Sequence, residues 1–264
     1  KNQQITDSIR YAKRIQEAII PDKHYLKRFL PDSFVFYEPK DIVSGDFYWC
    51  SSIRQGAEQE FIFAVIDCTG HGVPGAFMTV LANTLLQQII NEAHIYAPAQ
   101  ILKLLDQKVS AMLRQHGAMQ HYHQGMDIAL CRVQPLCRKL TFAGAKRPLY
   151  FVEDQEMQII RGNIFPVGAS QYKEGVDFQE QEVDLDEEKI FYLFTDGYQD
   201  QFGAQAGRKL MQKNFRDLLL SISNLPLDEQ AEFLGDYLIS WKGALEQTDD
   251  ILVLGFRWKN TPIV

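Results

Sequence analysis

Cysteine is scarce in this chain, and none of it is arranged for chemistry. The four cysteines (Cys50, Cys68, Cys131 and Cys137) form no C-x-x-C pair. Zinc-ribbon spacing is therefore absent, and a disulfide framework does not suit a chain of this length. The thiols read as buried or incidental groups in a reducing compartment. Positive charge is also in deficit, with 27 Lys and Arg against 34 Asp and Glu and a formal net charge of −7. A nucleic-acid groove would need a basic field, so that class of partner is excluded. A phosphorylated substrate is not, provided bound cations supply the charge. No apolar run approaches the roughly 18 residues of a membrane span, and no signal peptide opens the chain. These absences point to a cytoplasmic protein. The sequence begins on Lys1 rather than Met, so a longer parent is expected, attached to a membrane only through segments other than these.

What is present is a large apolar share, 46% of 264 residues, enough for a sizeable core. Residues 5–20 read as an amphipathic helix, with Ile5, Ile9, Ala12, Ile15 and Ile19 recurring at three- and four-residue intervals before Pro21. The stripe suits a dimerising seam or a face packed on its own domain, and under three heptads does not decide between them. The chain thus divides into a linker or dimerisation helix, residues 1–28, and a main domain, residues 29–264.

After Pro31 the texture turns to short aromatic and β-branched runs, "SFVFYEP", "DFYWCSSI" and "EFIFAVID". Helical patterns follow over 74–93 and 98–115, each opening on proline. Strand texture returns in "DIALCRV", "KLTFAGA", "PLYFVED", "MQIIRG" and "KIFYLFTDG", and a polar helical stretch from 207 to 246 precedes a last strand, "DDILVLGFRW". Strands in runs, then helices, then strands predict an α+β fold with largely antiparallel sheets, not a doubly wound one.

Four aspartates share one circumstance. Asp67 and Asp196 end apolar strands, while Asp46 and Asp249 begin them. Antiparallel pairing sets the end of one strand beside the start of its neighbour, so all four can gather on one rim. Crowded carboxylates titrate upward unless cations sit between them, and an oxygen-only set suits Mg²⁺ or Mn²⁺ better than zinc. Gly45, Gly70, Gly72 and Gly197 stand beside them, where they would let main-chain carbonyls turn toward an ion.

The ordered motifs "DIVSGDFYW", "IDCTGHGVPGAFM", "GMDIAL", "FAGAKRPLYF", "FPVGAS", "FYLFTDGYQD" and "TDDILVLGF" resemble those of the SpoIIE-like bacterial branch of the PPM (type 2C) metal-dependent serine/threonine phosphatases, over about residues 34–257. The resemblance implies two antiparallel sheets sandwiched between helix pairs, with two divalent cations, Mn²⁺ or Mg²⁺, at one edge. It implies that Asp67 bridges both metals and that Asp196 and Asp249 complete one. The Cys68 carbonyl and a water held by Asp46 would serve the other, and Asp250 is the lesser member of its doublet. Such a pair lowers the pKa of a shared water. The implied substrate is a phosphorylated regulatory protein, often of the anti-anti-sigma type. The domain would be the output of a longer signalling protein, with a sensory segment upstream and a homodimer through the N-terminal helix.

Three departures bear on the site. Cys68 replaces a glycine common in the eukaryotic branch, where only the carbonyl is needed. "GAKR" at 144–147 stands where that branch resembles "GDSR", so Ala145 leaves no aspartate to help hold a third metal. The phosphate-clamping arginine of that branch has Lys40 as its nearest counterpart, with Lys146 and Arg147 as further substrate contacts from another loop. His116, His121 and His123 contain a His-x-His, but no Asp, Glu or Cys follows at ligand spacing, and the stretch reads as a loop. His71 reads as a turn residue. The rival to an enzyme is a signalling module that keeps the fold and has lost the chemistry. It should lack one of the four carboxylates, and this chain keeps them all. A receiver domain would need βα alternation. A haloacid-dehalogenase-type phosphatase would need an Asp two residues before the one in "FTDGY".

Overall fold

The computed structural model describes residues 2–56, 58–70, 72–115, 125–168 and 176–259. His71 and the cluster of His116, His121 and His123 lie outside the described residues.

Two five-stranded antiparallel sheets form the centre. In the first, β1 (Ser33–Glu38) and β6 (Leu149–Glu153) flank a pair formed by β10 (Ile251–Trp258) and β9 (Lys189–Phe194), with β7 (Glu156–Ile160) at the edge. The second runs β2 (Asp46–Gln55), β3 (Glu58–Cys68), β4 (Met126–Gln134), β5 (Lys139–Ala145) and β8 (Glu180–Asp184). The continuous apolar run of β3 is explained by its position. Phe61, Phe63 and Val65 point into the core between the sheets, while Ile62, Ala64 and Ile66 point outward into a second core under helices. Both faces are covered, so no polar alternation is needed, and each of the Phe, Val and Ile side chains contributes about 1.5–3 kcal/mol by leaving water.

Helices α3 (Gly72–Leu86) and α4 (Pro98–Gln115) cover the second sheet through Leu85, Leu86, Ile101, Leu105 and their neighbours. A short α5 (Gly197–Asp200) follows β9, and on the first sheet α6 (Gln212–Ile222) and α7 (Leu227–Lys242) bury Phe215, Leu219, Leu234 and Leu238 against Phe36, Tyr192 and Val253. The polar stretch of 207–246 is thus two helices, broken where Pro226 precedes α7. The result is the expected four-layer α+β sandwich.

One expectation is corrected. Gly72–Glu92, which is α3 continued by a π-helical turn at Gln87–Glu92, is 21 residues long and apolar enough to cross a membrane by length and composition. Asn83, Thr84, Gln87 and Gln88 interrupt the apolar residues, which hides the segment from a search for unbroken runs. Its apolar face is spent on the core, where Leu85, Leu86, Ile89 and Ile90 are buried.

The N-terminal helix α1 (Asn2–Ile19) is present, followed by a short α2 (Lys23–Lys27). Its stripe divides: Ile9, Ala12 and Ile19 are half-buried, while Ile5 and Ile15 are exposed. The most buried α1 residue is Gln16, whose Nε2 donates to the Ser44 carbonyl (2.6 Å) and to Thr79 Oγ1 (2.9 Å), while its Oε1 accepts from the Ser44 amide (3.1 Å). The expected boundary after residue 28 falls in a segment whose Leu26 and Leu30 both enter the inter-sheet core.

Candidate active site

Strand register alone gathers three carboxylates. Asp46 on β2 lies opposite Asp67 on β3, which lies opposite Asp127 on β4. Across the sandwich, Asp196 follows β9 and Asp249 precedes β10, and those strands are paired neighbours. The two sheets therefore present their acidic strand ends on one rim.

Arg147 joins them. It leaves the turn after β5 with a buried side chain, and its Nη2 donates to Asp67 Oδ2 at 2.7 Å, Asp127 Oδ2 at 3.1 Å and Asp196 Oδ2 at 2.6 Å. One cation thus balances three anions from both sheets. It does not suffice. Burial pushes the Asp67 carboxyl up to about 8, against the pull of Arg147 and with the push of Asp196, Asp127 and Asp249. Burial, and then the charge of Asp67, raises Asp46 well above the usual carboxylate range. Asp46 Oδ2 is buried without a hydrogen-bond partner.

Among the described residues, no three Asp, Glu, His or Cys side chains close around an ion as they stand. The Arg147 guanidinium occupies the point where Asp67, Asp127 and Asp196 converge. The donor set nevertheless fits hard divalent cations, because it is all oxygen, carries excess negative charge and includes the orphaned Asp46 oxygen.

The doublet at 249–250 divides its work. Asp250 is buried, with Oδ1 accepting from the Lys40 amide and Oδ2 from the Gly45 amide, both at 2.8 Å. It fastens the loop that delivers Asp46. Asp249 is exposed at the rim, its Oδ1 accepting from the Asp250 amide at 2.9 Å. Gly45 has a packing reason not seen in the sequence: a Cβ there would sit 2.5 Å from the Gly70 carbonyl and 3.0 Å from that of Cys68. Gly70 and Gly72 hold φ of 96° and 65°, which glycine adopts at least cost.

Lys40 is half-buried; burial raises the Asp249 carboxyl above the usual carboxylate range, and the Lys40 charge is a minor influence opposing that rise. Lys146 is exposed, with Nζ 3.6 Å from Asp127 Oδ1. The Cys68 thiol is fully buried and pushed up by that burial, so its side chain is no nucleophile. Asp127 is the residue that the sequence reading missed. Its signal was available, since "GMDIAL" opens an apolar strand on an aspartate as Asp46 does.

A family model described as Stage II sporulation protein E (SpoIIE) matches residues 57–259. The chain belongs to the SpoIIE family. It is similar to the PP2C domain of SiaA from Pseudomonas aeruginosa, at 36% identity, with 98% of each chain covered and a TM-score of 0.85. It shares its fold with the PP2C phosphatase domain of SpoIIE from Bacillus subtilis, at 17% identity and a TM-score of 0.65, covering 88% of this chain and 64% of that one. Among curated proteins it resembles the phosphoserine phosphatase RsbP of Bacillus subtilis (strain 168), 23% identical over 193 residues. That match covers 72% of this chain but only 44% of the length of RsbP. Of these relatives, RsbP is named a phosphoserine phosphatase, and the SiaA and SpoIIE structures are PP2C domains that share the sandwich described above.

Proposed function

We propose that the rim is the active site of a metal-dependent phosphoprotein phosphatase acting on phosphoserine or phosphothreonine of a regulatory protein. The observation that carries this reading is the convergence of Asp46, Asp67, Asp127, Asp196 and Asp249 from both sheets of a SpoIIE-family fold. Asp67, central in the register, would contact both of two divalent cations. Asp196, Asp249, the Cys68 carbonyl and Asp46 would complete the set, with Asp127 as a further oxygen donor. When bound, Mn²⁺ or Mg²⁺ supplies charge for the phosphoryl group and acidifies water at the rim.

The chain's own residues do the rest. Asp250 fixes the 40–45 loop, and so the position of Asp46. Lys40 and Lys146 border the rim as cations for a phosphate. Arg147, turned from the carboxylates as metals enter, would place a bidentate donor toward phosphate oxygens. The described rim carboxylates are engaged by Arg147 or assigned to the cations, which favours direct attack by water over an aspartyl-phosphate enzyme. We take an anti-anti-sigma-type regulator as the class of substrate and an upstream sensory segment as the input, as the motif resemblance to the SpoIIE-like branch implies.

The test is direct. Purified protein with Mn²⁺ or Mg²⁺ should hydrolyse p-nitrophenyl phosphate and a phosphoserine protein, and EDTA should stop both. Activity indifferent to chelation would overturn the reading.

A further inference from the structure

Beside the carboxylate rim lies a cleft of about 530 Å³, between the β5–β6 turn, the segment after β7 and the N-terminal half of α6. Four cations line it, Lys146, Arg161, Lys213 and Arg216, and among the described residues no Asp or Glu does. In a chain of net charge −7, so concentrated a patch of one sign needs a reason. Lys146 is shared with the rim through its approach to Asp127. Arg216 pairs with its neighbour Asp217 at 2.9 Å, both side chains being solvated. Arg161 and Lys213 have no ion-pair partner among the described residues.

The walls are held in place. The Lys146 amide donates to the Asn163 carbonyl, and the Asn163 amide donates to the Gly144 carbonyl, both at 2.7 Å. These bonds fix the segment carrying Arg161 against the turn that carries Lys146 and Arg147. On the opposite wall Gln212 Nε2 donates to the Tyr150 hydroxyl at 2.9 Å. Burial raises that hydroxyl's pKa, while the Gln212 bond and the charges of Arg216 and Arg161 oppose the rise, so both guanidinium groups act on the same floor. Met211, just before α6, holds φ 73° and ψ 150°, a region costly to a residue with a side chain. The cleft also exposes apolar surface: Ile164 is 85% exposed.

We propose that this cleft docks an acidic segment of the substrate protein, adjacent to the phosphorylated residue, with an apolar side chain of that segment resting on Ile164. The inference deepens the phosphatase reading and rests on it. An acidic segment approaching an acidic protein is repelled everywhere except at a cationic patch. Four clustered cations beside the rim would steer it there and set its direction.

The experiment compares kcat/KM, with Mn²⁺, for three substrates of the full chain. They are a phosphoserine peptide flanked by Asp and Glu, the same peptide flanked by Lys, and p-nitrophenyl phosphate. The variant is Arg161→Glu together with Lys213→Glu, two exposed positions outside the rim. Anisotropy of a labelled, unphosphorylated acidic peptide is measured in parallel. The wild type should prefer the acidic peptide by about tenfold or more, and the preference should shrink with salt. Charge reversal should erase it while p-nitrophenyl phosphate turnover and melting temperature stay unchanged. If p-nitrophenyl phosphate is hydrolysed but the wild type treats both peptides alike, or charge reversal leaves the preference intact, docking in this cleft is overturned and the phosphatase stands. If p-nitrophenyl phosphate is not hydrolysed, the phosphatase reading falls and anisotropy decides the cleft alone. Acidic-peptide binding lost on charge reversal then supports it, and binding absent or unchanged overturns it.

Discussion

Asp250 and Gly45 lie 205 residues apart in the chain and are joined by a 2.8 Å hydrogen bond from the Gly45 amide to Asp250 Oδ2. With the matching bond from the Lys40 amide, this ties the last strand to the loop that presents Asp46. Asp250→Ala should therefore act through position. We expect metal affinity and turnover to fall about 10–100-fold and stability to fall by about 1–3 kcal/mol for one buried and one half-buried amide left unpaired. Asp250→Asn, which keeps one acceptor oxygen, should recover part of both. Titration of Mn²⁺ followed by thermal melting measures each effect. Equal losses in the two variants would assign Asp250 a role through its charge instead.

Arg147 is the internal counter-charge of the metal-free rim. Arg147→Ala should destabilise the metal-free protein by about 1–3 kcal/mol, since it leaves three half-buried carboxylates without their counter-charge. Mn²⁺ should then raise the melting temperature more in the variant than in the wild type. A metal-induced rise of the same size in both proteins would show that Arg147 and the cations do not compete for these carboxylates.

The sign of the pH dependence follows from the same crowding. Asp46 and Asp67 titrate above their unfolded values, so their contribution to stability is fully present below about pH 4. For Asp67 it is lost as pH rises toward the folded value of about 8. The metal-free protein should thus lose stability from this rim between pH 4 and 8, where carboxylates ordinarily add none of that trend. Divalent cations should reverse it and release protons on binding. Calorimetry at pH 7 in two buffers of different ionisation enthalpy reads the proton release directly. Identical heats in both buffers would contradict the proposed ligands.

Gln16 reaches from α1 to both Ser44, two residues before Asp46, and Thr79 on α3. This makes α1 a candidate route for an upstream signal, with the exposed Ile5 and Ile15 free to meet a second copy. Removing residues 1–20 should change oligomeric state, Mn²⁺ affinity and turnover, and Gln16→Ala should lower the last two without changing the first. If the truncated protein keeps all three, α1 is a tether.

Much of this was legible in the residues. Strand texture and its order predicted two antiparallel sheets, and Asp46, Asp67, Asp196 and Asp249 announced a rim because antiparallel strands must align their opposite ends. Asp127 escaped because its motif was read for resemblance and not for the same strand-start rule. Arg147 was read as a substrate contact from a loop and not as the counter-charge of the carboxylates, since nothing in "GAKR" says that the side chain turns inward to Asp67, Asp127 and Asp196. The work of Asp250 on amides at 40 and 45, and the close approach of Gly70 to Gly45, are contacts between distant segments. No local pattern encodes them. The helix over 74–93 was legible, but its span-like apolarity over Gly72–Glu92 was hidden for a different reason: its polar residues sit among apolar ones that the core needs.

The most direct test of the account is the turnover of a phosphoserine protein by Asp67→Ala and Asp196→Ala, with Mn²⁺ binding measured on the same samples. The account predicts a fall of at least about a hundredfold in rate together with weakened Mn²⁺ binding, in proteins that remain folded. Turnover near the wild-type level in either variant, or a wild type that binds no divalent cation and hydrolyses nothing, would contradict it.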